Sequence, residues 1–420
     1  MKLSKTTALV LCAFSGSLAF AAEPASNVAL YGVLDTGVYA HHASNGKTIV
    51  EMASGITKGS RFGLEGQENL GNGYKVYFRL EQGFESDNGD AKDADSAFYR
   101  DSYMGVATPF GAFELGRTGA LTAGTHGGIV GGMSPFGITW KEGALTKVFA
   151  GNVAARVNNM VKYESPELSG FKLYAQYSNG IDDDDVVSSQ KNRYIALGAT
   201  YRYKNLRLIA AFDNLFYNDS AVKTDAGVAA GKNLKDQRTY NIGGTYDFSD
   251  VRMYLGYQFG QNIKTPRQGD ADAIAAAKYD AKDSKAAEGY DTNAVTLGTK
   301  IKLFGGELNG TLGYAHAKRD YQDSKADVYQ AMLGYKYPLS KRTYAYGAVG
   351  YIHGKSQNKS LNKKKVLTHN VERVNTRSFF MGLCHEFLTC LNSPFLFAFL
   401  TFFFSLTNID PMSIFTAEKR

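Results

Sequence analysis

The seven histidines and three cysteines are the residues of this chain best suited to catalysis or metal binding, and their spacing offers little for either. No Gly-x-Ser-x-Gly or His-Glu-x-x-His motif occurs in the sequence. His41 and His42 are adjacent and could bind a metal ion, but two neighbouring loop histidines are usually bystanders. The sequence therefore predicts no enzyme, no metal site and no cofactor.

A different chemistry, the selection of ions by charge, needs charged side chains that face water, and such residues recur at alternate positions. In the stretch NGYKVYFRLEQGF, Tyr74 and Leu80 belong to the apolar set, while Lys75 and Arg79 belong to the polar set. Successive side chains of a β-strand point to opposite faces. The same reasoning places a further group on polar faces: Arg100, Arg252, Lys300 and Lys302. A packed core could not hold these charges unpaired, so a wet face is expected.

The elements that carry these charges are sixteen alternating segments between residues 28 and 387. Every second connection is a short turn such as PFG or KN, and the connections between them are mostly long. The long ones span 41–57, 85–95, 118–155, 180–190, 216–235, 261–289 and 355–374. An even strand count with short turns at one end and long loops at the other is typical of outer-membrane barrels. We expect an all-β protein, a 16-stranded antiparallel transmembrane β-barrel with a water-filled lumen; a soluble sandwich or propeller is the alternative.

Composition agrees with many strands and tight turns, because 45 Gly, 27 Tyr and 26 Phe stand against 8 Pro and one Trp. The 47 Lys and Arg exceed the 40 Asp and Glu by a net charge of +7, spread too evenly to predict nucleic-acid binding. Of the three cysteines, only Cys384 and Cys390 lie beyond the first residues, which argues against a disulfide framework or a cysteine metal site.

The first residues read as a targeting segment. Lys2 and Lys5 are followed by an apolar stretch at 8–14 and by the small-x-small sequence Ala19-Phe20-Ala21. This order is that of a secretory signal peptide. We expect residues 1–21 to be cleaved and the mature chain to be exported to the outer membrane.

Several stretches resemble the general porins of the Gram-negative outer membrane, in particular their β-proteobacterial branch. These stretches are VALYGVLDTGV (28–38), GSRFGLEGQENLGNGYKVYFRLEQGF (59–84), FYRDSYMGV (98–106), GAFELGR (111–117), RVNNMVKYESPELSGFKLYAQYSNG (156–180) and MGLCHEF (381–387). The resemblance implies a homotrimer of 16-stranded barrels whose third long loop is folded into the lumen. It also implies a diffusion channel for small hydrophilic solutes and ions, in contact with outer-membrane lipid and lipopolysaccharide.

The constriction loop is expected at residues 118–155, which form the longest connection. It is Gly-rich, and its charges are Lys141, Glu142 and Lys147. A loop exposed to water would normally carry more charge, whereas one packed inside a barrel needs small residues. Composition therefore points to the same loop as the resemblance does.

The resemblance also suggests which arginines face this loop. Arg61, Arg100 and Arg156 match wall arginines at the constriction, and Arg117 matches another at the start of the loop; Arg79 is inward by alternation alone. The alternative role for each arginine is that of a structural wall residue, paired with a lumen carboxylate such as Glu81 or Asp101. Where the family often has PEFG, this chain has SPFG, which lacks the acid.

The missing acid predicts a positively biased constriction and a preference for anions, because rings of charge at a narrow point set ion preference. Glu142 could substitute for it, but Lys141 and Lys147 lie close by in the sequence. A channel specific for phosphate, organic anions or oligosaccharides is the other function that the sequence leaves open. An outer-membrane enzyme lacks the necessary motif.

The C-terminal end divides at Phe387. MGLCHEF reads as a closing strand, and the resemblance implies that a terminal aromatic residue is recognised by the barrel-assembly machinery. Residues 388–420 look unlike the preceding chain, and the apolar run within them is too short to span a bilayer. We expect the porin barrel to cover 22–387 and the remainder to be an extension outside it.

Overall fold

The computed structural model describes residues 27–43, 46, 48–122, 126–150, 155–181, 192–217, 235–263, 289–320, 323–361 and 367–390. The expected signal peptide and the part of the C-terminal extension beyond 390 lie outside these residues. No helix in the described ranges is long and apolar enough to cross a membrane.

The described residues form seventeen β-strands and two short 3₁₀ helices. The strands are β1 (Asn27–Ala43), β2 (Thr48–Ser54), β3 (Arg61–Gly71), β4 (Tyr74–Gly83), β5 (Ser102–Thr108), β6 (Gly111–Gly119), β7 (Arg156–Glu164), β8 (Phe171–Ser178), β9 (Arg193–Tyr203), β10 (Leu206–Phe216), β11 (Gln237–Phe248), β12 (Val251–Ile263), β13 (Tyr290–Leu303), β14 (Gly306–Arg319), β15 (Ser324–Pro338), β16 (Thr343–Leu361) and β17 (Leu367–Cys390). The 3₁₀ helices are Val130–Met133 and Leu145–Lys147. All strands belong to one sheet.

The seventeen strands occupy sixteen positions in the wall, because β2 and β3 share one. Both pair with β1: β3 along 27–33 and β2 along 36–42. Each later strand pairs antiparallel with the next, and β17 returns to β1, from Ala29 opposite Cys390 to Ala43 opposite Thr376. This seam closes the sheet and leaves it without edges, which confirms the predicted 16-stranded antiparallel barrel.

The two faces of the wall differ as the alternation predicts. On β12, Leu255 and Tyr257 are 56% and 42% exposed on the outer face, whereas Tyr254 and Gln258 are buried on the inner face. The outer face thus presents an apolar band to lipid, and the inner face carries the polar residues. The short turns are also confirmed. Asn72 and Gly73, between β3 and β4, both have positive φ (50° and 82°), as a tight two-residue hairpin turn requires.

The long connections were placed less accurately. The predicted loop 41–57 contains β2, and residues 58–60, expected to begin a strand, belong to the break between β2 and β3. The predicted loop 355–374 is largely taken up by β16 and β17, which continue pairing above the rest of the wall. Strand β17 also runs three residues past Phe387. For β16 and β17, strand pairing with a long neighbour extends the element further than side-chain alternation indicated, whereas β3 begins later than it indicated.

Candidate functional site

The connection between β6 and β7 folds into the lumen and packs against the inner wall. Its buried residues include Leu121, Met133 and Leu145, with exposures of 0%, 0% and 2%. They form one apolar cluster with inward wall residues such as Tyr194 and Ile352. Burial of this apolar surface holds the connection in place, and we call its described residues, 120–122, 126–150 and 155, the constriction loop.

A second cluster attaches the part of the constriction loop around Trp140 to β16 and β17. The Trp140 ring lies 5.1 Å from that of Phe136, 5.8 Å from that of Tyr346 and 6.3 Å from that of Phe380, measured between centroids. Ile56, fully buried in the break between β2 and β3, belongs to the same cluster. The loop therefore packs against the inner wall at both clusters.

Wall glutamines hydrogen-bond to the main chain of the constriction loop at three places. Gln176 accepts from Leu121 N at 2.7 Å, and Gln258 both accepts from Ala150 N (2.6 Å) and donates to Ala150 O (3.0 Å). Gln330 donates to the carbonyl of Glu142 at 2.6 Å. Buried backbone groups need such partners, and the amides supply them without adding charge.

Across the opening, Arg61, Arg100 and Arg156 surround Glu81 and Asp101. The two Glu81 carboxylate oxygens lie 2.9 Å from Arg61 Nε, 2.5 Å from Arg100 Nε and 3.1 Å from Arg156 Nη2. Arg156 Nε also lies 2.6 Å from Asp101 Oδ1. We call these five residues the arginine cluster. Three guanidinium groups share two carboxylates, so the cluster carries excess positive charge.

Strand ends bring the arginine cluster together. Arg61 is the first residue of β3 and Arg156 the first of β7, while Glu81 lies near the end of β4. Arg100 and Asp101 come just before β5, and two backbone hydrogen bonds tie them to β4: Glu81 N to Asp101 O (2.7 Å) and Arg100 N to Glu81 O (3.2 Å). The cluster therefore lies at the ends of the strands on the side of the long loops.

The charged residues of the constriction loop largely compensate one another. Glu142 is 7% exposed; Lys147 Nζ lies 3.3 Å from its carboxylate, and the Tyr39 hydroxyl donates to it at 2.8 Å. The Lys141 ammonium sits over the Tyr39 ring, 4.3 Å from its centroid. Glu142 is therefore neutralised within the loop and does not offset the arginine cluster.

Two sequence candidates lie apart from the arginine cluster. Arg79 Nη2 is 2.6 Å from Glu65 Oε2, and its Nη1 is 3.1 Å from His126 Nδ1. Arg117 donates to the carbonyl oxygen of Tyr99 and to Asn158 Oδ1, both at 2.5 Å. Neither contacts Glu81. Arg79 lies on the inner face that alternation along β4 predicts, and it contacts His126 of the constriction loop rather than Glu81.

Lys92 is a charged residue of this region that sequence reasoning missed. The connection after β4 folds back, so that Lys92 N donates to Gly83 O at 3.0 Å and Lys92 pairs with Glu85. Burial, together with the positive charges of Lys141 and Arg100, lowers the pKa of the Lys92 ammonium below its usual range. This connection is rich in Asp and has no periodicity in its sequence that could indicate its return to the wall.

The remaining candidates lie elsewhere on the barrel. Phe387 pairs with Gly32 across the closing seam, and its ring covers that glycine so closely that an added Cβ would lie 2.2 Å from Phe387 Cζ. His42 Nδ1 shares a 2.8 Å hydrogen bond with Thr48 Oγ1. Within the described ranges, no three His, Cys, Asp or Glu side chains come together as metal ligands would.

Comparison with known proteins agrees with this architecture. The family model of Gram-negative porins matches residues 6–357. The chain is 28% identical over 379 residues to an outer membrane porin protein of Bordetella pertussis, covering 83% of this chain and 94% of the relative. It is also 28% identical over 356 residues to outer membrane porin protein 32 of Delftia acidovorans, with 83% and 89% covered.

A solved structure with the same fold is that of an anion-selective porin from Comamonas acidovorans. It superposes with a TM-score of 0.60 at 25% identity, covering 86% of this chain and all of that one. OmpT of Vibrio cholerae superposes with a TM-score of 0.56 at 16% identity, which shows the shared fold alone.

Proposed function

Because the chain belongs to the family of Gram-negative porins and forms an outer-membrane channel for small solutes, we propose that it passes anions in preference to cations. The arginine cluster carries this proposal, since its three guanidinium groups outnumber the two carboxylates between them. Wide solute tolerance, rather than one specific substrate, accompanies the preference.

The local charge balance supports an anion preference. The one acid of the constriction loop, Glu142, is taken up by Lys147 and Tyr39, whereas Lys141 lies over a neutral ring. An anion at the constriction thus meets a positive field from the wall and little opposing charge from the loop. Walls of low dielectric strengthen such a field compared with bulk water.

The similarity to an anion-selective porin from Comamonas acidovorans points in the same direction. That selectivity is a property of the other protein, whose chain is 25% identical to this one. The arginine cluster gives a physical reason why the same preference would apply here.

The proposal extends to assembly. Three copies would form the functional channel, in lipid and lipopolysaccharide of the outer membrane, as the family resemblance implies. Phe387, whose ring covers Gly32 at the closing seam, would be the aromatic residue that the barrel-assembly machinery recognises. Native mass spectrometry of the purified protein tests the trimer, and loss of assembled barrels on Phe387→Ala tests the second point.

Reversal potentials in a salt gradient test the anion preference directly. The purified protein in planar bilayers should give a potential of the sign expected for anion permeation, and a cation-selective potential would overturn the proposal. Liposome swelling with sugars and organic anions of graded size tests the second part. A smooth decline with size is expected, whereas a sharp preference for one solute would indicate a solute-specific channel.

A further inference from the structure

We propose that Asp35 is a positioning residue for the arginine cluster, acting through an inward bulge of the wall formed by residues 55–60. This inference rests on the proposed function, because it concerns how the selecting charges are held. No charge pattern in the sequence singles out Asp35, and it does not contact the arginines itself.

The inward bulge replaces strand pairing over a short stretch of β1. Strand β3 pairs with β1 up to Val33, and β2 resumes the pairing at Thr36. Leu34 and Asp35 are therefore opposite residues 55–60, which are too many to continue the ladder. The excess chain turns into the lumen, where Ile56 and Thr57 are fully buried.

The Asp35 carboxylate supplies the hydrogen-bond acceptors that the inward bulge needs. Its Oδ2 accepts from Thr57 N (2.8 Å), Thr57 Oγ1 (2.6 Å) and Lys58 N (2.7 Å), and its Oδ1 accepts from the Tyr346 hydroxyl (2.5 Å). Asp35 is itself fully buried. Hydrogen bonds to a buried carboxylate are stronger than those between neutral groups, so this set fixes the shape of the bulge.

The main chain of Asp35 completes the attachment. Its carbonyl accepts from Gly55 N at 2.8 Å and from Ser60 Oγ at 3.0 Å, and its amide donates to Ser60 Oγ at 3.1 Å. Both ends of the bulge are thereby fastened to the same residue of β1.

The fixed bulge contacts two members of the arginine cluster. Arg61 Nη1 donates to Gly59 O at 2.8 Å, which holds the guanidinium beside Glu81. Gly59 also leaves room for Arg100, since a Cβ at this position would lie 3.2 Å from Arg100 Nη1. Lys141 N donates to Ile56 O at 3.0 Å, so the constriction loop rests on the same bulge. A shift of residues 55–60 would therefore displace both sides of the opening.

Two substitutions test this role from different directions. Asp35→Asn retains one carbonyl oxygen but turns an amide group towards donors, so the bulge loses part of its support. Gly59→Ala leaves Asp35 intact and crowds the Arg100 guanidinium; Gly59 does not have positive φ, so alanine fits the backbone. We expect both variants to lower the anion-to-cation permeability ratio about twofold to fivefold, with the barrel still assembled.

A second readout reports the arginine positions independently of selectivity. Phenylglyoxal modifies accessible guanidinium groups, and peptide mass spectrometry gives the rate at Arg61 and at Arg100. Both variants should raise these rates, because the ion pairs with Glu81 loosen. Asp213→Asn is the matched control: Asp213 is likewise fully buried and accepts hydrogen bonds from Thr122, Thr239 and Tyr194. It should lower thermal stability without changing the reactivity of the two arginines.

The outcomes separate the two proposals. Wild-type reactivity and wild-type reversal potential in assembled Asp35→Asn and Gly59→Ala barrels would overturn the positioning role. If Asp35→Asn does not assemble, the reactivity and reversal potential of Gly59→Ala and Thr57→Val decide whether the inward bulge positions the arginines. A wild-type channel that is not anion-selective would contradict the proposed function alone, because the reactivity measurement still decides whether Asp35 positions the arginines.

Discussion

The side of the lumen built from β3, β4 and β7 holds its polar groups as charges, whereas β8, β12 and β15 present neutral glutamines. On the charged side, Arg61 and Arg156 converge on Glu81. On the neutral side, Gln258 and Gln330 hydrogen-bond to the constriction loop. On both sides the buried polar groups have partners. One side supplies them with charged side chains, and the other supplies them with neutral amides.

The difference follows from what each side must do. A side chain that attracts ions has to keep its charge near water, where a mobile ion can reach it. A side chain that anchors a loop has to satisfy a backbone group permanently, and a buried charge would require a further partner for itself. Amides anchor at lower cost because they donate and accept without a net charge. Selection and the anchoring of backbone groups are thus assigned to different strands.

Removing charge from the arginine cluster should give the largest change. Arg61→Gln combined with Arg100→Gln leaves Glu81 with Arg156 as its remaining arginine partner, so the local charge becomes less positive. We expect the anion-to-cation permeability ratio to fall about tenfold, equivalent to ~1.4 kcal/mol in relative barrier height. Reversal potentials measure it. An unchanged ratio would mean that selectivity is set elsewhere in the lumen.

Removing a glutamine that hydrogen-bonds to the constriction loop should destabilise the loop and leave the ion selectivity unchanged. Gln258→Leu removes the partners of both Ala150 N and Ala150 O, which costs about 1–3 kcal/mol for buried groups left unpaired. We expect lower thermal stability and noisier single-channel currents, with the reversal potential unchanged. Gln67→Leu is the control, since the described part of the constriction loop offers this side chain no hydrogen bond. A large shift in selectivity would show that the two walls are not separate in function.

The smallest effect should come from Lys92. Its ammonium is positive below its pKa and neutral above it; because burial and nearby positive charges lower that pKa, the charge is lost at less alkaline pH than for an exposed lysine. Anion preference should therefore weaken by less than about twofold as the pH is raised from neutral into the alkaline range. Lys92→Arg, which stays protonated, should flatten this dependence, whereas Lys325→Arg at the exposed rim should not. Identical pH profiles for Lys92→Arg and Lys325→Arg would exclude Lys92 as the source of the pH dependence.

Side-chain alternation predicted the wall because each strand has one lipid-facing and one water-facing side. Leu255 and Gln258 are on the expected faces for that reason. The family resemblance pointed to Arg61, Arg100 and Arg156, and the structure brings these three residues together around Glu81. The constriction loop was recognisable from its low charge.

Contacts made outside the strand pattern could not be predicted. Lys92 comes within the electrostatic influence of Arg100 because a loop folds back, and the inward bulge exists because two residues of β1 are opposite six of the neighbouring chain. Neither leaves a periodic signal. Alternation placed Arg79 on the inner face, but it could not indicate that its partners would be Glu65 and His126.

The seam between β1 and β17 joins the two ends of the described chain, while other neighbouring strands of the wall are close in sequence. Folding can therefore advance hairpin by hairpin with local contacts, but the last joint depends on residues separated by almost the whole polypeptide. Non-local pairing of this kind is slow. Until it forms, two rows of backbone groups lack partners, and each group exposed to hydrocarbon costs several kcal/mol. The barrel thus becomes a sealed wall in lipid only once its final strand has paired with its first.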